Sequence, residues 1–271
     1  MIDLAWWQWA VAGLCATLVG VAKTGVPGLG ILVVPVLGLV IGDTVASAGY
    51  LLPLLCVADL FAVVYYRRHA QAGKLWALAP WVLAGMAIAG VLLLLQRGAL
   101  HDHIGPTAVN AAVGSIVLAM IGLHLLRKRT PDAPVPTDRG HAARYGITAG
   151  FATTMANAAG PVMNLYLLSQ RLPKAEFIAT GAWFFLVINL AKLPIYAPLG
   201  MITPTSLAFD ACLAPLVVLG ALTGRRIFER IPQRVFERTV LALAATAALL
   251  LFVPRSVWHA RSVPEAPAPA R

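Results

Sequence analysis

The stretch Lys23–Pro35, KTGVPGLGILVVP, decides how the rest of the chain is read. It sets one lysine, three glycines and two prolines inside an otherwise apolar run from Leu4 to Ile41. Glycine opens backbone conformations closed to other residues and proline removes a hydrogen-bond donor, so the run is a broken helix. In hydrocarbon a break frees N–H and C=O groups that find no water. It survives only where it lines a cavity or is buried in protein. The reading therefore turns on whether the surroundings are a membrane.

The composition says that they are. The 271 residues are 59% hydrophobic and only 12% charged, with a mean hydropathy of +0.79. Soluble domains carry roughly 25% charged residues, so this supply cannot make a polar shell. Leu4–Ala22, Val45–Tyr66, Leu75–Leu95, Ile104–Leu126 and Phe177–Tyr196 each approach the ~20 residues that cross a bilayer, and Thr239–Val253 is shorter but alike. The opening MIDLAWWQWAVAG lacks the basic region of a cleavable signal, so the first segment is expected to be retained. Its Trp6, Trp7 and Trp9 read as an interfacial belt. The net charge of +10 comes in short clusters between apolar runs, a positive-inside pattern rather than a nucleic-acid surface. Cys15, Cys56 and Cys212 lie in apolar segments without paired spacing and read as buried, inert thiols.

RKRTPDAPVPTDRGH, Arg127 to His141, is a charged, proline-rich linker, and the tail from 254 to 271 is of low complexity. The linker divides the chain into a first repeat, 1–126, and a second, 142–253. A shift of 130 residues carries Gly30-Ile-Leu-Val-Val-Pro35 onto Gly160-Pro-Val-Met-Asn-Leu165. It also carries Asp59 onto Asn189, Tyr66 onto Tyr196, and Ala22-Lys-Thr24 onto Ala152-Thr-Thr154. Each half reads as a broken element followed by three ordinary helices, an all-α polytopic fold.

If the broken elements Leu4–Ile41 and Ala142–Leu168 each cross once, the Lys and Arg other than Lys23 and Lys192 divide 11 to 8 between the two sides. If each enters and leaves on one side, loops 67–74, 127–144, 171–174 and 225–238 gather fifteen, against Arg97, Arg255, Arg261 and Arg271 opposite. The positive-inside rule prefers the second arrangement. Three full spans per half then relate the halves by inverted topology, as in many secondary transporters. Both termini are expected outside the cytoplasm.

The breaks carry the chemistry. Gly28–Gly30 is expected to open one half-helix. In Asn157-Ala-Ala-Gly160-Pro161, Pro161 suits a first turn and Asn157 a cap. Two helix N-termini meeting in mid-membrane present unpaired N–H groups and positive dipole ends to an anion, and Lys23 adds charge. Packing glycines and a lysine reaching for an interface are the bland alternative for either break alone. Asp59, deep in LLCVADLFAVVYY, is an expensive intramembrane carboxylate. Asn189 and Lys192 lie one turn apart in FLVINLAKLP. A protonatable Asp59 would couple proton movement to an anion held by Lys23 and Lys192, although a carboxylate also binds Na⁺. A structural Asp–Lys or Asp–backbone contact across the repeat axis is the alternative. Asn164, a turn after Gly160, adds a donor.

Other residues point less far. Tyr65 and Tyr66 read as an interface marker, and Asp210 as a solvated residue near a segment end. His101-Asp-His103 lacks further ligands at zinc-like spacing. Gly220-Ala-Leu-Thr-Gly224 is a GxxxG match suited to close helix packing. No HExxH, GxSxG or Walker A pattern occurs, and no cofactor is implied.

With two halves of four segments, each opening on a glycine-rich break and running into GILVVPVLGL or GPVMNLYLLS, the chain resembles the sulfite exporter TauE/SafE family. The resemblance spans roughly residues 5–253. It implies a secondary carrier of the bacterial cytoplasmic membrane for sulfite, sulfonates or related organic anions. The chain departs from the family in two places. KTGVPGLG stands where a GxGGG-like pattern is common, and the second half keeps only Gly160 of a fuller cluster. The expected site is Lys23, Thr24, Gly25, Gly28 and Gly30 with Asn157, Gly160 and Asn164, walled by Asp59, Asn189 and Lys192. A non-transporting membrane partner is the second reading, and a sulfur-handling enzyme using Cys56 beside Asp59 a third. Oligomeric state stays open, with a homodimer compatible.

Overall fold

The computed structural model describes residues 4–41, 44–98, 106–128, 135, 138–156, 159–198, 200–250 and 252. Among them every regular element is helical. Helix α1 is Trp6–Thr24. A 3-10 turn at Leu29–Leu32 leads into α2, Val33–Ile41. Then come α3, Thr44–Tyr66, α4, Ala72–Gly98, and α5, Pro106–Lys128. After the linker follow α6, Arg139–Ala156, α7, Ala159–Ser169, α8, Lys174–Tyr196, α9, Pro204–Arg230, and α10, Gln233–Leu250. Gly49–His69, Ala72–Leu92, Lys174–Pro194 and Pro204–Arg230 are long and apolar enough to cross a bilayer. Leu60, Val64, Trp76, Leu83, Ile88 and Val91 turn outward, as side chains facing hydrocarbon do. Asn157, the His101–His103 loop and the tail from 254 lie outside the described residues.

Both broken elements fold back on themselves. In the first, the Gln8 side-chain amide at the start of α1 donates to the Val40 carbonyl near the end of α2, at 2.9 Å. At the tip, Gly30 lies beside Ala22. In the second, His141 near the start of α6 pairs with Ser169 at the end of α7, imidazole to hydroxyl at 2.8 Å. The Tyr145 and Tyr166 rings of the same two helices stand 5.7 Å apart. The first tip is not the half-helix expected from Gly28–Gly30. A left-handed Gly28 (φ 110°) starts the 3-10 turn, and the α-helix proper begins at Val33.

Four glycines set the long contacts. A Cβ on Gly20 would strike the Val217 carbonyl and the Ala221 nitrogen, and one on Gly220 would strike the Thr17 carbonyl, so α1 and α9 touch backbone to backbone. Across α4 and α6 the same happens: Gly150 meets the Val82 carbonyl and the Met86 nitrogen, and Gly85 meets the Ile147 carbonyl. Thr17 and Gly20 shifted by 130 become Ile147 and Gly150. Val82, Gly85 and Met86 shifted by 135 become Val217, Gly220 and Ala221. In both pairs the chains run parallel. The expected Gly220–Gly224 packing motif is thus the α9 side of one contact, with Gly224 against Val21 and Thr24. Helices α3 and α8, by contrast, run antiparallel. Asp59 meets Asn189, Ala62 and Val63 pack with Ala182 and Leu186, and Gln71 bonds to Thr180 and Glu176.

The basic segments gather at one end. There Lys74 bonds to Gln170, Lys174 donates to the Phe228 and Ile231 carbonyls, and Arg225 stacks on Tyr65. Tyr66 is no interface marker. It is buried, and its hydroxyl donates at 3.0 Å to the Thr24 carbonyl, one of the acceptors freed where α1 stops. Cys212 is exposed on α9, not buried, whereas Cys15 is in the core.

Candidate functional site

The two hairpin tips meet over a cavity of about 140 Å³. Ala22, Lys23, Pro27, Gly28 and Gly30 line it from the first hairpin, and Thr153, Ala159, Gly160, Pro161 and Asn164 from the second. Helix α8 contributes Phe185, Asn189 and Lys192, while Leu51, Leu55 and Leu243 add apolar wall from α3 and α10. At ~30 Å³ per liquid water, the space holds several waters or one small oxyanion with part of its shell.

Lys23 occupies the last turn of α1, where the helix dipole favours a cation. Its ammonium lies 2.8 Å from Asp59 Oδ1 and 4.2 Å from the centre of the Phe185 ring. Asp59 is fully buried behind the cavity wall, and its other oxygen accepts from the Asn189 amide at 2.8 Å. The buried Lys192 ammonium donates to Thr153 Oγ1 at 2.7 Å. Two ammonium groups therefore face the cavity, and one carboxylate stands close behind Lys23. Asn164 is buried and lines the cavity. A Cβ added at Gly160 would meet nothing within 4 Å, so the backbone of the first turn of α7 is open to the cavity.

Eight of the sequence-derived candidates come together around this cavity: Lys23, Gly28, Gly30, Gly160, Asn164, Asn189 and Lys192 on its wall, with Asp59 behind. Thr24 and Gly25 face elsewhere. Thr24 donates at 2.7 Å to the Ala221 carbonyl, and Gly25 packs on Gly224, so both belong to the α1–α9 contact. Asn157 lies outside the described residues. Sequence reasoning passed over Thr153 and Phe185. Thr153 was legible, because it is the residue that the 130-residue shift sets opposite Lys23. Asp210 is not the solvated residue expected. It is buried in α9, and neither carboxylate oxygen has a hydrogen-bond partner among the described residues. Among those residues no group of three or more His, Cys, Asp or Glu is placed to hold a metal ion.

An all-helical protein with four helices long and apolar enough to cross a bilayer, and a small cavity lined by two lysines between paired helix breaks, has the features of a membrane protein. The family model described as Sulfite exporter TauE/SafE matches residues 9–251, and the chain belongs to that family of membrane transporters. Comparison with curated proteins and with solved structures gave no match.

Proposed function

We propose that this protein is a secondary carrier of small anions, multi-pass in the bacterial cytoplasmic membrane, and that the anion binds in the cavity between the hairpin tips. The observation that carries the reading is the pair of ammonium groups, Lys23 from α1 and Lys192 from α8, that line one cavity beside the first turn of α7. An oxyanion there gains charge from both lysines, the Asn164 amide, and N–H groups at a helix start. The family description favours sulfite or a related sulfur anion, and export as the direction.

Lys23 also supports coupling. It is held by Asp59 at 2.8 Å, so an anion that recruits Lys23 must compete with that carboxylate. Released into a dry site, Asp59 binds a proton, and anion and proton travel in the same direction. The alternative counter-ion for the released carboxylate is Na⁺.

Two packing facts support inverted repeats. Glycine contacts recur under a single shift per helix, and α3 and α8, shift-related partners, are antiparallel where Asp59 meets Asn189. A two-fold axis that exchanges antiparallel helices lies in the membrane plane. The basic end then faces the cytoplasm, and the ends of α2 and α10 face out.

The test is flux in proteoliposomes of sulfite, sulfate, thiosulfate, a sulfonate and a carboxylate, with and without a pH gradient. Saturable flux of one of them, faster with acid on the side the anion leaves, is the expected result. No flux of any from folded protein would overturn the carrier reading.

A further inference from the structure

The cavity does not use the second deeply buried acid of the molecule. Asp210 lies in the second turn of α9, with about 5% of its surface exposed, and both oxygens lack a hydrogen-bond partner among the described residues. This is unlike Asp59, which has an ammonium and an amide. On the helix of Asp210, Phe209 is wedged between Trp9 of α1, with ring centres at 5.2 Å, and Tyr50 of α3, at 5.4 Å. Among the described residues of the two helices packed against α9, the titratable group that senses Asp210 is the phenol of Tyr50, and the thiol of Cys15 lies in the apolar cluster with Phe209. Neither carries positive charge.

A carboxylate in such a place would hold a full charge with no donor and no cation, an arrangement proteins avoid. The neutral acid needs no counter-charge. The location matters as well. Trp9, Tyr50 and Phe209 lie at the end of the bundle where α1 begins and α8 hands over to α9, with Gly49 against the Met201 carbonyl. That end carries none of the basic clusters, and it is the outer mouth of the topology proposed above.

We propose that Asp210 is a proton-binding residue of the outer mouth. It holds one proton in the apolar contact that α9 makes with α1 and α3, and exchanges that proton with the outer side. External acid then favours the protonated form. The placement at the outer mouth rests on the proposed topology, whereas proton binding at Asp210 does not depend on transport.

Infrared spectroscopy of the full chain in lipid reads the proton directly. The carbonyl stretch of a protonated carboxylic acid is expected at neutral pH. It should shift in D₂O, disappear in Asp210→Asn, and return at a changed frequency in Asp210→Glu. Trp9→Ala, which admits water to the cluster, should reduce the band by at least half. An unchanged band in folded Asp210→Asn protein would overturn the proposal, as would absence of the band in wild type. A band that follows Na⁺ rather than pH would replace the proton by a cation. If Asp210→Asn does not fold, the frequency change in Asp210→Glu decides alone: no change overturns the assignment. Failure of flux with the band intact would sink the carrier reading and leave this one standing.

Discussion

Removing Lys23 should unfold more than it unbinds. Asp59 has no exposed surface, and Lys23 is 16% exposed, so the pair is close to a fully buried one. Lys23→Ala leaves a carboxylate whose remaining partner is the single Asn189 amide. Removing one partner of a buried ion pair costs roughly 3–5 kcal/mol, whereas replacing both is often neutral. For a chain of this size each kcal/mol moves Tm by roughly 2–4 °C. Lys23→Ala should therefore lower Tm by roughly 10 °C, and Asp59→Asn, which strands the ammonium nearer to water, by less. The double variant Lys23→Ala/Asp59→Asn should recover to within ~1 kcal/mol of wild type, since the amide introduced at position 59 bonds to the Asn189 amide with no charge left to compensate. Thermal scans of tryptophan fluorescence in lipid nanodiscs, with monodispersity checked by gel filtration, close the cycle. Additive losses in the double variant would mean that the two side chains contribute independently and are not a coupled buried pair.

Three further outcomes follow from packing and charge. Gly20→Val and Gly150→Val drive a side chain into the backbone of a neighbouring helix, and each should lower stability by at least ~1–3 kcal/mol in the same thermal assay. A neutral result at either would deny the close helix contact there. Gly160→Ala should leave Tm unchanged while weakening anion affinity, because its new methyl enters only the cavity. Gly28→Ala should destabilise by ~1–3 kcal/mol, since its φ of 110° is left-handed and Leu243 is in the way. Equal effects at the two glycines would count against the cavity. Asp138 accepts from the His141 backbone N–H at 2.8 Å at the start of α6, and that bond holds its carboxyl below the usual aspartate range. A lowered folded value stabilises above the ordinary aspartate pKa and is lost as pH falls through the folded one. The Tm gap between wild type and Asp138→Ala should therefore be open at neutral pH and close in acid.

Much of this was legible in the chain. The composition gives a membrane helix bundle, and Lys23–Pro35 gives the break. The charge of the loops alone favours hairpins over spans, and the Gln8–Val40 and His141–Ser169 bonds show hairpins. The gathering of residues at the cavity was legible where a residue had few other uses in hydrocarbon, as with Lys23, Lys192, Asp59 and Asn189. It was illegible where the deciding quantity is direction around a helix. Thr24 sits next to Lys23 in sequence, yet it points ~100° away and bonds to α9. The glycines of the motif divided for the same reason, Gly25 to packing and Gly28 and Gly30 to the cavity. Asp210 was misjudged because distance from a segment end does not reveal burial. The helices packed on α9 are α1 and α3, whose Trp9 and Tyr50 lie more than 150 residues away in sequence.

The most direct measurement is anion flux by the stable, charge-neutral Lys23→Ala/Asp59→Asn protein beside wild type, in the same liposomes and at matched, folded incorporation. Loss of at least tenfold in flux, together with loss of its dependence on the pH gradient, is the predicted result. Wild-type flux in that variant would contradict the claim that the anion is bound at the break in the first helix.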